Sequence, residues 1–337
     1  MASDCPNIPT ATFQVDFGDP VFPFDIFERI IGNVEQTEST SDLITLSLVS
    51  KSFADLSQRR LFQYAKICDD DLSQHIQRIK QLTAIITYKP VLTNYIRRLF
   101  YATPSGEDGS KSIDVRSLLC FPLLNHLGIK GTDIWDWSSR HIATGLASEC
   151  LTILNHYLSS TSLHTLELFN MRDDLPIVDI LMCPNLETLT IHDCRWKSWS
   201  APASVDLLEF GGLKLRKIDL DNNTGDIVTL LAHCSKLEEI SLSRVREIPA
   251  ENALPSLITT LPTTRFKHLR YFKSSEIVSL TPIYQLAASH DVSEGKVFPA
   301  LKTFCFAFDS NSDDGLDPLF EVLDSIEELI LEGLTFC

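Results

Sequence analysis

The chain has no run of about 18 uninterrupted apolar residues, so nothing in it reads as a membrane-crossing helix. Residues Met1 to Val21 lack the basic start and continuous apolar stretch of a secretory signal. The nine cysteines are odd in number and scattered, and none forms a Cys-x-x-Cys pair. Without a secretory signal they read as reduced thiols, and the expected compartment is cytoplasmic and/or nuclear. Basic residues are in short supply: 29 Lys and Arg stand against 45 Asp and Glu, a formal net charge of -16. That balance disfavours nucleic acid and anionic membrane as partners.

Signatures of chemistry are absent too. There is no Gly-x-Ser-x-Gly, His-Glu-x-x-His or Gly-x-Gly-x-x-Gly, so an enzyme is not expected and no cofactor is implied. Gly106 to Ser112 looks faintly like a phosphate loop, but its second glycine does not directly precede the lysine, and its composition fits a solvated loop. His192 and Cys194, with His164 or His233, offer no second ligand pair at a zinc-like spacing, so no metal is expected. Asn222-Asn223-Thr224 is a glycosylation sequon without meaning outside the secretory route. Asp69-Asp70-Asp71 suits the start of a helix.

One apolar line recurs through the last two-thirds of the chain. Leu163, Leu166 and Leu168 set it; Leu186, Leu189 and Ile191, then Leu215, Ile218 and Leu220, then Leu237, Ile240 and Leu242 repeat it. Leu269 and Phe272 form a degraded copy with Ser274 in the third place, Leu301, Phe304 and Phe306 restore it, and Ile326, Leu329 and Leu331 close it. The starts lie roughly 22 to 32 residues apart, bracketing the leucine-rich-repeat period. Two looser lines precede them, at Ile96, Leu99 and Tyr101 and at Leu124, Leu127 and Ile129. Helix-like segments follow several lines, at 176–181, 226–231, 254–261, 282–288 and 318–323. Strand, turn and helix alternate, which predicts an α/β solenoid with parallel strands on its concave face. The last line lies close to Cys337, so either a cap is missing or the chain is a fragment.

Ahead of the repeats, residues 1–19 read as a flexible leader and a helical block follows. Ile26, Phe27, Ile30, Ile31 and Val34 recur at helical spacing after Pro23, as do Leu43, Leu46, Val49, Phe53 and Leu56. A further helix is predicted from Leu72 to Tyr88, with Pro90 stopping it, and another from about Arg140 to Leu158.

The stretch Phe22-Pro23-Phe24-Asp25-Ile26-Phe27-Glu28-Arg29-Ile30-Ile31 resembles the opening of an F-box, and Asp42 to Phe53 resembles its second half. Phe22 stands where the family has Leu, Asp25 where Glu is commoner, and Phe53 where Trp is frequent. Cys183 and Cys194, with Cys234 repeating the first slot, resemble the cysteine-containing class of leucine-rich repeat found in F-box proteins, and the layout is similar to fungal ones. The resemblance implies a three-helix F-box over 20–65, a linker helix over 66–92 and a leucine-rich-repeat solenoid over 93–337. It further implies docking on the Skp adaptor of an SCF-type ubiquitin ligase, and through it on a cullin. Pro23, Ile26, Ile30, Leu46, Val49 and Phe53 are the residues carried over for that contact. The competing expectations are an F-box protein in a non-ligase assembly, and a plain repeat scaffold whose helical block is only its cap.

A target protein would meet the strand residues that alternate with the buried ones. Phe169, His192, Asp219, Asp221, Glu239 and Tyr271 are the candidates, with Trp196 and Trp199 either further aromatic anchors or cover for the convex side.

Overall fold

The computed structural model of the chain describes residues 26, 29–31, 40–104, 113–131, 148–171, 175–196, 214–232, 234, 236–247, 266–275, 298–307 and 326–332. The chain divides into two compact units, Met1–Gln63 and Tyr64–Cys337.

In the first unit, Ile26 and residues 29–31 are helical, and two helices follow, α1 (Thr40–Ser47) and α2 (Lys51–Leu61). The apolar spacing from Leu43 to Leu56 predicts one continuous line, but the backbone breaks between the helices because Ser50 is extended and caps α2. Its Oγ accepts the Phe53 N–H at 3.3 Å, satisfying a donor that the helix start leaves open. Ile31, Leu43 and Leu56 are buried together, with Leu46, Phe53 and Leu61 packed against them. Pro23 lies outside the described residues.

The second unit is built on ten parallel strands paired in sequence order. They are β1 (Tyr64–Ile67), β2 (Arg98–Ala102), β3 (His126–Lys130), β4 (Thr165–Phe169), β5 (Thr188–His192) and β6 (Lys217–Asp221). After the short β7 (Thr224–Gly225) comes β8 (Glu239–Ser243), then short β9 (Arg246–Glu247), β10 (Tyr271–Ser274), β11 (Thr303–Ala307) and β12 (Glu328–Glu332). Strands β7 and β9 pair separately, beside the main sheet's order. Helices α3 (Leu72–Tyr88), α4 (Ser148–Leu158), α5 (Ile177–Leu181) and α6 (Ile227–Ala232) lie between strands. Asp71 caps α3 by accepting the Gln74 N–H at 2.8 Å. The expected helices over 254–261, 282–288 and 318–323 lie outside the described residues.

Register explains the repeat. Each apolar second and fourth strand residue sits beside its counterpart in the next coil, as Leu166 beside Leu189 and Leu189 beside Ile218. Up to β11 these columns form the core together with the apolar residue that precedes a strand by two positions, such as Leu163, Leu186 and Leu237, whereas Leu329 on β12 is exposed. The degraded copy is a full coil: Ser274 is enclosed in the third apolar slot, and β10 pairs on both sides. Strand β1 crosses the expected boundary at 65 and pairs with β2, which puts it and α3 in the same unit as the repeats. The second unit is therefore an α/β leucine-rich-repeat solenoid.

After four successive strands the chain turns through a residue with positive φ: Asn170, Asp193, Asn222 and Arg244, at 50 to 54°. Asparagine and aspartate tolerate this left-handed backbone better than most residues. The residue after each turn points back under the coil, and these are Met171, Cys194, Asn223 and Val245, all buried. Asn223 does the most there, bonding to two backbone groups of the preceding coil, Cys194 N and Ile191 O.

Candidate functional site

Two surfaces stand out. On the helical unit, Ile26, Ile30 and Ile44 are exposed, Val49 is 64% exposed and Leu48 is 83% exposed. Leu46 and Phe53 are half-buried against the unit's own core instead. The sequence thus points to a set of apolar residues, and the structure sorts it: Ile26, Ile30 and Val49 face outward, while Leu46 and Phe53 turn inward. Leu48 and Ile44 have no place in the expected set, since a spacing rule for the buried face passes over residues outside it.

The second surface is the side of the sheet that alternates with the core. Phe169, His192, Asp219, Asp221, Glu239 and Tyr271 all lie on it, spread over β4, β5, β6, β8 and β10. Phe169 and His192 are neighbours across β4 and β5 and meet edge to face, with centroids 5.3 Å apart. Phe100 on β2 approaches Phe169 at 6.2 Å. Its ring lies over Gly128 on β3, where an added Cβ would come within 2.6 Å of Cδ2. Glycine lets the ring lie flat against that strand. Lys66 on β1 holds its Nζ 6.0 Å from the centre of the Phe100 ring, at the outer reach of a cation–π contact.

Charge on this face is mostly paired. His126 Nε2 stands 3.3 Å from Glu167 Oε1, and the pairing holds the Glu167 carboxyl below its usual range. His192 Nε2 stands 3.7 Å from Asp219 Oδ2. The Asp219 carboxylate raises the His192 pKa, and His192 lowers that of Asp219 in return. Arg244 forks onto Asp221 at 2.8 and 2.9 Å, and Lys217 meets Glu239 at 2.8 Å. The Thr303 hydroxyl donates to Glu328 at 3.1 Å.

The other candidates resolve differently. Trp196, expected as an exposed anchor, is buried: its indole packs on Gly225, where a Cβ would fall 2.2 Å from the ring. The aromatic bulk fills the space left by a glycine rather than facing a partner. Trp199 lies outside the described residues. His192 and Cys194 serve different sides of the coil, the histidine on the outer face and the sulfur beneath it, where it accepts the Met171 N–H at 3.3 Å. Burial pushes the thiols of Cys194 and Cys234 up to about 12 and that of Cys150 up to about 11. Such thiols behave as small apolar groups rather than ligands or nucleophiles. Among the described residues no group of three or more His, Cys, Asp and Glu could hold a metal, and no helix is long and apolar enough to cross a membrane.

Among solved structures the chain is similar to internalin C2 of Listeria monocytogenes, at 16% identity over 71% of this chain and 73% of that one, with a TM-score of 0.33. It is also similar to an internalin (inlF) of Listeria monocytogenes, at 12% identity over 74% of this chain and 93% of that one, with a TM-score of 0.22. No protein-family model matches the chain, and no curated protein matches it.

Proposed function

We propose that the chain is the target-recognition subunit of an SCF-type ubiquitin ligase, with the helical unit docking on the Skp adaptor and the strand face holding a target protein. The observation that carries this is the apolar exterior of the helical unit. Among its described residues the block buries Ile31, Leu43 and Leu56 and leaves Ile26, Ile30, Ile44, Leu48 and Val49 exposed. Five exposed aliphatic side chains on so small a unit point to an interaction site. The resemblance of 22–31 and 42–53 to an F-box supplies the partner's identity. In this role the chain makes and breaks no bonds itself. It works by holding a target near a ubiquitin-loaded enzyme that the adaptor and a cullin bring in, which raises the effective concentration of the reacting groups.

Co-purification of the full chain with a Skp adaptor tests the first half. Wild-type chain is expected to capture the adaptor, and the pair Leu48→Asp and Val49→Asp is expected to lose it with an unchanged circular dichroism spectrum. Folded wild-type protein that captures no adaptor sinks the ligase assignment and leaves a leucine-rich-repeat scaffold with a different partner for its helical unit.

A further inference from the structure

The outward residues of the sheet change sign along it. Strands β1 to β3 carry Lys66, Arg98 and Lys130, while β4 to β6 carry Glu167, Asp219 and Asp221, with Lys217 on β6 the one lysine or arginine among them and paired to Glu239 on β8. Asp221 is already forked by Arg244. Glu167 and Asp219 are ion-paired only to His126 and His192 among the described residues. At the change of sign stand the half-exposed rings of Phe100 and Phe169, 6.2 Å apart, brought together because Gly128 on the strand between them carries no side chain.

We infer that this junction seats a segment of a partner protein in which an apolar side chain is flanked by an acidic residue on one side and a basic residue on the other. The apolar group packs on Phe100 and Phe169, the acidic one lies over Lys66 and Arg98, and the basic one lies over Glu167 and Asp219. The inference rests on the reading of the strand face as a recognition surface and adds which coils and which chemistry. Aromatic anchors dominate interface energetics, and flanking charges of opposite sign fix the direction in which a segment lies. Lys66 already places an ammonium at the Phe100 ring, so a carboxylate arriving there finds its counter-charge beside the anchor. An all-anionic ligand would meet Glu167 and Asp219, and an all-cationic one would meet Lys66 and Arg98.

The probe is a phage-displayed library of random dodecapeptides selected on the purified full chain. The expected outcome is enrichment of peptides with an acidic–apolar–basic order, and a loss of retention of roughly tenfold or more in Phe100→Ala with Phe169→Ala. The pair Arg98→Glu with Asp219→Lys, both at outward positions, should select the reverse order. Its circular dichroism keeps the test decisive should the ring variant fail to fold. Selected peptides without a charge order, or peptides that the ring variant retains, overturn the inference and leave a recognition face elsewhere on the sheet. No selected peptide overturns both the inference and the recognition role of the face. Neither result bears on adaptor capture, which is read separately by co-purification.

Discussion

Asn223 closes the coil of Cys194. Its Oδ1 accepts the Cys194 N–H at 2.9 Å, and its Nδ2 donates to the Ile191 carbonyl at 2.6 Å, with the side chain fully enclosed. Cys194 does a lesser version of the same for the coil before it, accepting the Met171 N–H with its sulfur.

Asn223→Ala leaves the buried Cys194 N–H without its partner and removes a bond to the Ile191 carbonyl, which costs about 1–3 kcal/mol. Asn223→Cys is expected to cost less, because a sulfur in that slot still accepts the neighbouring N–H as Cys194 does. Chemical denaturation of the two variants checks the order, and equal losses would show that the amide's bonds carry no weight.

Gly225→Ala puts a methyl group 2.2 Å from the enclosed Trp196 ring. A ring packed on every side cannot move aside freely, so the expected loss is about 1–3 kcal/mol. Trp196→Leu in the same chain should recover part of it. A melting temperature unchanged by Gly225→Ala would mean that the ring is loosely held.

His75 on α3 is fully enclosed, has no hydrogen-bond partner on either ring nitrogen, and meets Tyr101 edge to face at 5.3 Å. Burial lowers its pKa, with Asp69 pulling weakly the other way. The unfolded chain therefore takes up this proton at a higher pH than the folded one. The stability is present above the unfolded value of about 6.5 and falls as pH drops from there toward the lowered folded pKa. His75→Phe keeps the ring and removes the titration, so its stability should fall less than the wild type's between pH 7 and pH 5, in guanidinium titrations at each pH. Parallel profiles would clear His75 of any part in acid sensitivity.

On the helical unit, Leu48→Asp with Val49→Asp changes side chains that water already reaches, so stability should move by no more than about 0.5 kcal/mol. Phe53→Asp differs, because Phe53 packs on Ile31, Leu43 and Leu56 and a charge there disrupts the fold. Thermal melts of the two variants separate a docking residue from a core residue. If Leu48→Asp with Val49→Asp melts as early as Phe53→Asp, those side chains are structural.

The strand lines were readable because each needs three apolar residues at fixed places, and the coil around Leu269 survives one failure because Ser274 is small enough to be enclosed. Helix α3 was readable from Leu72 to Tyr88, since Asp71 and Pro90 punctuate it. Strand β1 was hidden: its line is Phe62, Ala65 and Ile67, and alanine and phenylalanine in place of leucine blur both the pattern and its boundary with α2. Asn223 carries a signal of its slot, three residues after Leu220 as Cys194 is three after Ile191, which the overlapping sequon obscures. Phe100 gave none, because its approach to Phe169 depends on counting the coils between them and on Gly128 clearing the way.

Because all ten strands run parallel and in step, residue numbers on the outer face convert into distances as on a ruler. Neighbouring strands are about 4.8 Å apart, so the face is about 43 Å wide from β1 to β12. The four steps from Phe100 on β2 to Asp219 on β6 cover about 19 Å, which about six extended residues of a partner would span. Lengthening a loop between strands leaves these distances unchanged, whereas adding or removing a whole coil moves the positive and negative ends by one graduation. Any two positions on the face can be set further apart or closer together only in those fixed increments.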